Sequence, residues 1–307
     1  MDELAEGTEM TGLIKMVVFD LDGVLVDIDS SWQTIHRAFG VDNEENFQKH
    51  LRNEIDYREF MRSDIGLWGN PNATRIRRIL DRVPLMKGVR DVLDALRMRK
   101  LKTAIISSGV LMLAERIKEE LGIDHVFANR LLTDDEGRLL GEGEEFVTLR
   151  NKDVVLERLC RAEAVRLEDC AVVGDSRFDI SLFEKAGFSI AFNAQDRVIT
   201  EAADVIIEEK DMKLILPWII GCRGAKTYAS FRYETEATAE IIISSISPDN
   251  FPVPPGLSIK SSRQKTEAKT RVFCTKGFGM LLATLDDLLS NVQLAEKTIQ
   301  TLEALPR

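Results

Sequence analysis

Short, nearly continuous apolar runs recur along the first two thirds of the chain. They occupy Leu13–Phe19, Lys102–Ser107, Cys170–Val173, Ser189–Phe192 and Asp204–Ile207. Strands that are buried on both faces of a parallel sheet are apolar at almost every position, rather than at alternate positions. The runs therefore predict the parallel strands of a sheet that is covered on both sides.

Between these runs the apolar residues follow the spacing of a helix. The stripes are Val89, Val92, Leu93, Leu96; Val110, Ala114, Ile117, Leu121; Val155, Leu156, Leu159; and Ile180, Phe183, Ala186. This i, i+3, i+4, i+7 spacing is typical of helices with one buried face. Gly122 and Gly187 follow the second and fourth stripes, and we expect them to end those helices. Alternating strands and helices predict an α/β fold with a doubly wound, Rossmann-like parallel sheet.

Three segments depart from this alternation. Residues 27–84 are mostly helical in pattern and too long for a connecting loop, so they predict an inserted helical cap. Residues 126–150 contain the turn sequence Asp-Asp-Glu-Gly at 134–137, which predicts a β-hairpin. The first 12 residues show neither pattern, and we expect a loose tail there.

The pattern changes again after Ile220. The expected elements are strands at Thr227–Tyr233, Leu257–Lys265 and Thr270–Thr275, a helix at Glu236–Ile246, and a long final helix. A turn-rich segment spans 247–256. Residues 1–221 carry 30 Lys and Arg against 42 Asp and Glu, whereas residues 222–307 carry 11 against 9. We therefore expect an α/β domain over 13–221 and an α+β module with β-α-β-β-α order over 222–307.

Composition excludes several classes of protein. The 307 residues are 44% hydrophobic and 30% charged, with a net charge of −10, which is globular composition. No apolar run approaches the ~18 to 20 residues of a membrane span, and the acidic N-terminus does not resemble a secretory signal. Four scattered cysteines and three histidines offer little to zinc and favour reduced thiols. We expect a cytoplasmic protein that has no membrane partner and does not coat nucleic acid.

An acidic turn follows the first buried strand. Asp20 and Asp22 leave this strand two residues apart, so their carboxylates should point the same way at the carboxyl edge of the sheet. Crowded carboxylates repel one another unless they share a proton or a cation. Mg²⁺ takes one or two carboxylates together with substrate phosphate. An exposed acidic turn explains this pair equally well when it is taken alone.

Other strand ends supply complementary groups. Ser107 and Ser108 follow the second strand where a helix opens, which suits phosphate binding as well as a plain helix cap. Lys152 stands at a helix start, where a lysine is locally unfavourable, although a solvated lysine is the simpler interpretation. Asp175 and Asp179 follow the third strand, where capping of the next helix would also explain them.

Taken in order, these motifs resemble those of the haloacid dehalogenase superfamily of aspartyl-phosphate phosphatases, over roughly residues 13–220. The resemblance implies that Asp20 is the nucleophile and that Asp22 is the general acid and base. It implies Mg²⁺ held by Asp20, the backbone carbonyl of Asp22 and Asp175. It further implies that Ser107 and Lys152 bind phosphoryl oxygens and that Asp179 orients Lys152 or a metal-bound water.

Within the superfamily the chain looks most like phosphoserine phosphatase, through Phe127–Leu131, Gly174–Phe183, the Lys-Ala-Gly-Phe at 185–188 and the position of the cap. Several positions differ from that pattern. Ser108 stands where those enzymes have glycine, and Phe178 where they usually have asparagine. The acidic residue for the substrate amine is matched by the shorter Asp29. The arginine for the substrate carboxylate falls at Asp64, with Arg62 nearby; solvated cap surface explains Asp29 and Arg62 equally well.

The C-terminal module combines a helical seam with a second resemblance. The final helix has a 4-3 apolar spacing at Leu281, Leu285, Leu288, Val292, Ala295, Ile299 and Leu302. Such a seam can pack on the module's own sheet or on a partner. Residues Ala225–Leu302 resemble the small KH-like dimerising subunit of the KEOPS tRNA-modification complex, which implies a homodimer and possible protein partners.

Direct binding of RNA by the module has weak support in the sequence. There is no GxxG loop to clamp nucleotides. The basic cluster of Lys260, Arg263, Lys265, Lys269 and Arg271 is the pattern of a solvated strand face, with RNA contact as the less favoured interpretation.

The sequence thus predicts a Mg²⁺-dependent phosphomonoesterase that acts on a small phosphorylated metabolite. Two alternatives stay open. One is a phosphatase-like scaffold with weak catalysis, tied to threonylcarbamoyl modification of tRNA. The other is an enzyme for a different ester, such as phosphoglycolate, a sugar phosphate or a nucleotide, with Asp64 and Phe178 lining the substrate.

Overall fold

The structure is a computed structural model that describes residues 7–10, 14–220, 225–246, 253–254, 256–274 and 278–303. The chain divides into two compact units: residues 14–216, and residues 1–13 together with 217–307. The change in charge places the expected boundary slightly later, at 221. No helix in the described part of the chain is long and apolar enough to cross a membrane.

The strands are numbered along the chain. They are β1 (Gly7–Met10), β2 (Met16–Phe19), β3 (Lys102–Val110), β4 (His125–Thr133), β5 (Leu139–Glu144), β6 (Cys170–Gly174), β7 (Phe188–Phe192), β8 (Val205–Ile207), β9 (Ala225–Arg232), β10 (Leu257–Gln264) and β11 (Glu267–Cys274).

The helices are numbered in the same way. They are α1 (Ser31–Phe39), α2 (Glu44–Leu51), α3 (Tyr57–Gly66), α4 (Ala73–Leu80), α5 (Val89–Met98), α6 (Leu111–Leu121), α7 (Lys152–Ala162), α8 (Ile180–Lys185), α9 (Arg197–Ala202), α10 (Leu216–Ile220), α11 (Glu236–Ile246) and α12 (Phe278–Glu303). Short 3₁₀ turns lie at Leu167–Asp169, Arg177–Asp179 and Met212–Ile215.

The first unit is built on the sheet that the apolar runs predicted. Its strand order is β5-β4-β3-β2-β6-β7-β8, with β5 antiparallel to β4 and the other neighbours parallel. Every residue of β2, β6 and β7 is buried, as continuous apolar strands require. Met16 and Val18 point to the face that α7 and α8 cover. The α/β prediction is therefore confirmed.

Helices α1 to α4 form the cap predicted for residues 27–84. The chain enters and leaves this cap as a pair of extended segments, in which Asp27 N donates to Pro84 O at 3.0 Å and Met86 N to Leu25 O at 2.9 Å. The guanidinium of Arg116, on α6, donates to the carbonyls of Asp81 and Val83, both at 2.8 Å. These contacts tie the end of the cap to the sheet domain.

Two of the predicted local features are confirmed and one is wrong. The hairpin forms from β4 and β5, with Gly137 at φ +76° in its turn. Gly122 ends α6 in the left-handed conformation, at φ +66°. Gly187, however, does not cap α8, because Ala186 already ends that helix in an extended conformation. A Cβ at Gly187 would overlap the backbone carbonyl of Glu168, so close packing requires the glycine here.

The second unit has the predicted β-α-β-β-α order and one further strand. Its sheet order is β1-β9-β11-β10, with all neighbours antiparallel. The expected loose tail is thus wrong, because residues 7–10 pair with β9 as β1. The tail lacks an apolar pattern, but an edge strand gains its backbone hydrogen bonds from a partner that is distant in sequence. The turn expected at 247–256 lies largely outside the described residues.

The seam of α12 packs within its own unit. Leu281, Leu288 and Val292 are buried against the sheet and α11, together with Val272 and Ile242. This is the first of the two uses that the 4-3 spacing allowed. On the opposite side of the helix Leu282 and Leu294 remain exposed.

The basic cluster is divided between the two faces of this sheet. Arg263 faces α11, where it pairs with Glu236 at 2.9 Å and with Glu240 at 2.7 Å. Lys260 and Arg271 lie opposite each other on β10 and β11 and share the other face. The cluster therefore does not form one continuous basic surface.

Candidate active site

Three neighbouring strands bring the predicted site residues to one edge of the sheet. Phe19, at the end of β2, is paired with Ile105 of β3 on one side and with Val173 of β6 on the other. Asp20 follows directly after Phe19, and its backbone N–H still donates to Val173 O at 3.0 Å. Because all three strands run in the same direction, the residues that follow them emerge side by side.

Lys152 lies at the centre of the site. Its Nζ is 2.6 Å from Asp179 Oδ1 and 3.1 Å from Asp20 Oδ2, and only 1% of the residue is exposed. The interpretation of Lys152 as a solvated lysine is therefore wrong. Burial alone would lower the pKa of Lys152, but the carboxylates of Asp179 and Asp20 outweigh it and raise this pKa above the ordinary lysine value. Lys152 is a fixed positive charge at neutral pH.

Asp179 forms hydrogen bonds with both Lys152 and the backbone. Its Oδ2 accepts from the backbone N–H groups of Asp175 at 3.1 Å and Ser176 at 3.3 Å, while its Oδ1 accepts from Lys152. Ser176 and Asp179 cap each other across this turn, so the capping interpretation holds, and the role of Asp179 in the site stays a prediction. Both oxygens of Asp179 are thus engaged within the protein.

Asp175 lies against Gly23, a position at which a larger residue would not fit. Gly23 has φ +74°, and a Cβ there would overlap the Asp175 carboxylate. Burial, followed by the negative charges of Asp179 and Asp20, raises the pKa of Asp175 to about 9. The same causes in Asp179, burial first and then Asp20, outweigh its ion pair with Lys152 and raise the pKa of Asp179 to about 6. The cluster holds more negative charge than Lys152 can balance.

This excess of charge fits a divalent cation. Carboxylate oxygens of Asp20, Asp175 and Asp179 all lie within 4.8 Å of one another, and the three residues are buried. The donors are all oxygen, which suits Mg²⁺ rather than zinc or copper. In this cluster Asp179 also accepts from Lys152 and from the backbone N–H groups of Asp175 and Ser176. The buried carboxylates of this cluster therefore fit a bound Mg²⁺ ion.

Asp22 is held from the cap. Its Oδ2 accepts from the backbone N–H of Ser31 at 2.7 Å and from the Ser31 hydroxyl at 2.8 Å. Its Oδ1 is buried and has no hydrogen-bond partner among the described residues. Burial is the largest influence on Asp22, and it raises the pKa to about 6 against the opposing hydrogen bonds from Ser31. An acid with this pKa can both give and take a proton near neutral pH.

The two serines near the carboxyl end of β3 have different surroundings. Ser107 is buried, and its hydroxyl accepts from Gly109 N at 3.1 Å. The carbonyl of Ser108 accepts three hydrogen bonds, from Trp32 Nε1 at 3.1 Å, Tyr57 OH at 3.1 Å and Asn129 Nδ2 at 2.9 Å. Trp32 and Tyr57 belong to the cap, so this peptide group is fixed jointly by the cap and the sheet domain.

The residues suggested for the non-phosphate end of the substrate make their contacts outside this cluster. Asp29 is exposed, and its charge acts on Lys210, which pairs with Asp27 at 2.7 Å. Arg62 is exposed and paired with Glu142. Asp64 is 1% exposed and accepts from Asn43 at 2.8 Å and from His36 at 3.2 Å, inside the cap.

Both of these hydrogen bonds are made by Oδ2, whereas the buried Oδ1 of Asp64 has no hydrogen-bond partner among the described residues, so the lining role of Asp64 stays a prediction. Phe178, the other residue suggested for that role, is half-buried, one residue before Asp179.

Sequence reasoning missed three residues that organise the site. Ser31 holds Asp22, while Asn129 and Tyr57 hold the Ser108 carbonyl. Asn129 is fully buried and also binds Val147 through both its backbone groups, at 2.8 and 3.1 Å. A polar residue inside the apolar strand of a hairpin was a signal, since a buried amide needs several partners. Ser31 gave no such signal, because serines are common at helix starts.

Comparison with known proteins agrees with this geometry. The haloacid dehalogenase-like hydrolase family matches residues 14–187. A phosphoserine phosphatase of Methanocaldococcus jannaschii is 33% identical over 208 residues, which are 67% of this chain and 97% of that protein. A phosphoserine phosphatase of Saccharomyces cerevisiae is 31% identical over 70% of each chain.

Among solved structures, a phospho-aspartyl intermediate analogue of phosphoserine phosphatase superposes with a TM-score of 0.59 at 31% identity. It covers 68% of this chain and 100% of that one.

Proposed function

The chain belongs to the haloacid dehalogenase-like hydrolases, and from this membership and its site we propose that it hydrolyses a small phosphate monoester through a phosphorylated Asp20. One observation carries the proposal: the buried Nζ of Lys152 contacts both Asp20 and Asp179, beside Asp175. This cluster combines a nucleophilic carboxylate with a fixed cation and a place for a second cation. A carboxylate cannot approach a phosphate dianion without such cations.

In the first step Asp20 attacks phosphorus while the bond to the leaving oxygen breaks. Lys152 and the hydroxyl of Ser107 bind the phosphoryl oxygens, and Asp22 gives its proton to the departing alcohol. A new bond joins Asp20 to phosphorus, and the electron pair of the broken bond stays on the alcohol oxygen. Splitting the hydrolysis in this way replaces one difficult displacement by two easier ones.

In the second step water attacks the phosphorus of the phosphorylated Asp20, the bond between phosphorus and Asp20 breaks, and inorganic phosphate is released. Asp22, now ionised, takes the proton of this water, and Asp20 leaves as a carboxylate, so the enzyme returns to its starting state. Asp20, the backbone carbonyl of Asp22 and Asp175 would hold Mg²⁺. The ion supplies charge neutralisation of the phosphoryl group, which Lys152 alone cannot complete.

A panel of phosphate esters tests the function. We expect phosphate release from at least one alkyl ester in the presence of Mg²⁺, and a fall of about 100-fold or more with EDTA, because the buried carboxylates would then repel the substrate. Readdition of Mg²⁺ after the chelator should restore the rate. This recovery is the control for irreversible unfolding.

The panel also decides between an enzyme and a scaffold. Turnover of a broad set of esters at no more than the rate of a chelated control would contradict the enzymatic proposal. It would favour the phosphatase-like scaffold tied to tRNA modification.

We propose phosphoserine as the first substrate to assay, since the two relatives and the solved structure compared above are phosphoserine phosphatases. In this proposal Ser107 and Ser108 bind the phosphate side, and Asp29 is the candidate partner of the amine. The exposure of Asp29 and the use of Arg62 by Glu142 leave the other end of the substrate less defined. Phosphoglycolate, sugar phosphates and nucleotides therefore belong in the same panel.

For the second unit we propose a dimerisation module. The resemblance to the small KEOPS subunit supports this, as does the β-α-β-β-α order of its elements. Because the seam of α12 is used inside the unit, a partner would meet Leu282 and Leu294, the large apolar side chains of α12 that are exposed among those the structure describes. Protein partners in a tRNA-modification complex remain a further part of this proposal.

Sedimentation of the full chain tests the dimer. The full chain is needed because β1 completes the sheet of the second unit from the N-terminus. At on the order of tens of micromolar, a dimer of moderate affinity should dominate. The variant Leu294→Glu should shift the population toward monomer, whereas Leu214→Glu, at an exposed leucine of the first unit, should not. A monomer at all these concentrations would contradict the dimer.

A further inference from the structure

We propose that Ser31, the first residue of the cap helix α1, is a positioning residue that sets Asp22 to protonate the leaving alcohol. This inference rests on the proposed function. It concerns a residue that touches neither Lys152 nor the cluster of Asp20, Asp175 and Asp179 among the hydrogen bonds and ion pairs of the structure.

Ser31 donates two hydrogen bonds to the same carboxylate oxygen of Asp22. Its backbone N–H and its hydroxyl both donate to Asp22 Oδ2, at 2.7 and 2.8 Å. An oxygen that accepts two such bonds has no room for a proton of its own. When Asp22 is protonated, the proton must therefore lie on Oδ1, which has no partner among the described residues.

The hydroxyl of Ser31 is itself fixed in direction. It accepts from the backbone N–H of Val110 at 3.1 Å, so its own proton can only point away from that group and toward Asp22. Ser31 is fully buried, and a Cβ on Gly109 would lie 2.7 Å from its Oγ. The glycine at position 109 thus leaves the space that the Ser31 hydroxyl occupies beside Asp22.

This arrangement couples the cap to the chemistry. Ser31 lies on α1 of the cap, Val110 ends β3 after the phosphate-binding serines, and Asp22 follows β2. Asp22 is therefore held in its proton-donating orientation only while the start of α1 is seated on the end of β3. The P–O bond to an alkyl group needs this proton as it breaks, because an alkoxide is a poor leaving group. A nitrophenolate leaves as a stable anion without it.

The test compares the two kinds of ester in Ser31→Ala. We measure kcat/KM, which covers the steps up to departure of the alcohol, for p-nitrophenyl phosphate and for phosphoserine or whichever alkyl phosphate of the panel is turned over fastest. We expect a loss of about 10- to 100-fold for the alkyl ester and less than about threefold for the nitrophenyl ester. An equal loss for both esters, or no loss for either, would overturn the proposal.

Two controls separate positioning from general damage. Ser30 is the N-terminal capping residue of α1, and its hydroxyl accepts from Gln33 N at 3.3 Å. It does not contact Asp22 among the hydrogen bonds of the structure. The first control, Ser30→Ala, removes this capping bond. It should lower the melting temperature without changing the ratio of the two esters. Adding Ser31→Ala to Asp22→Asn should have little further effect on the alkyl ester, because Ser31 acts through Asp22. Additive losses would contradict this.

Two further results remain distinguishable. If Ser31→Ala does not fold, Ser31→Cys fills the site with a slightly larger side chain of the same shape that is only a weak donor, and it should show the same ester-selective loss. Failure of the unmodified protein to hydrolyse either ester with Mg²⁺ would instead overturn the proposed function. The comparison of esters therefore separates failure of the Ser31 proposal from failure of the phosphatase proposal.

Discussion

Replacing Asp20 by asparagine should lower the rate of phosphate release by a factor of at least ~10³. The amide keeps the size of the side chain but has neither the charge nor the nucleophilicity of a carboxylate. The neighbouring carboxylate of Asp179 is engaged by Lys152 and by the backbone N–H of Asp175. The measurement is phosphate release from the best alkyl ester under saturating Mg²⁺.

Stability should move in the opposite direction in this variant. Asp20 adds to the negative charge that raises the pKa of Asp175 to about 9 and of Asp179 to about 6. Removing its charge relieves this repulsion, so the melting temperature without Mg²⁺ should be unchanged or higher. Asp27→Asn, in the same turn but exposed, is the matched control and should keep its activity. Retention of more than a tenth of the rate in Asp20→Asn would contradict the assigned nucleophile.

Replacing Lys152 by methionine should damage both activity and stability. Methionine fills a similar volume but leaves Asp20 and Asp179 without their shared cation, which lies 3.1 and 2.6 Å away. We expect a fall in kcat/KM of about 10² to 10³, as for loss of a group that stabilises transition-state charge. Breaking a buried ion pair on one side costs about 3 to 5 kcal/mol in the free energy of unfolding.

Mg²⁺ should recover part of the lost stability of Lys152→Met, because a cation that binds only the folded site stabilises it by mass action. The matched control is Lys185→Met, at a surface lysine that pairs with Glu157 at 2.9 Å. Its unfolding free energy should change by no more than about 0.5 kcal/mol. A Lys152→Met protein with normal stability and activity would show that the buried lysine has neither role.

The catalytic cluster could be predicted from the sequence because each residue has a local marker. Asp20 and Asp175 each follow directly on a continuous apolar run, and Lys152 stands at a helix start where a lysine is unfavourable. Parallel strands place their carboxyl ends at one edge, so three local markers become one site. Burial then excludes the interpretation of Lys152 as a solvated lysine, because only 1% of the residue is exposed.

What the sequence did not predict depends on contacts between distant residues. The bond from Ser31 to Asp22 spans a turn and a helix start, and neither has a period that reveals it. Strand β1 was missed because its partner β9 lies more than two hundred residues later. Gly187 was misassigned because a glycine needed for close packing and a glycine needed as a cap look the same in a sequence.

The most direct test of the account is to trap the phosphorylated enzyme. The full chain is mixed with an excess of the best alkyl ester and Mg²⁺, quenched in acid within one turnover, digested and examined by mass spectrometry. The account predicts one phosphoryl group on the peptide that contains Asp20. This group should be removed by hydroxylamine and absent from Asp20→Asn. Steady turnover with no phosphorylated peptide, or with the phosphoryl group on another residue, would contradict covalent catalysis by Asp20.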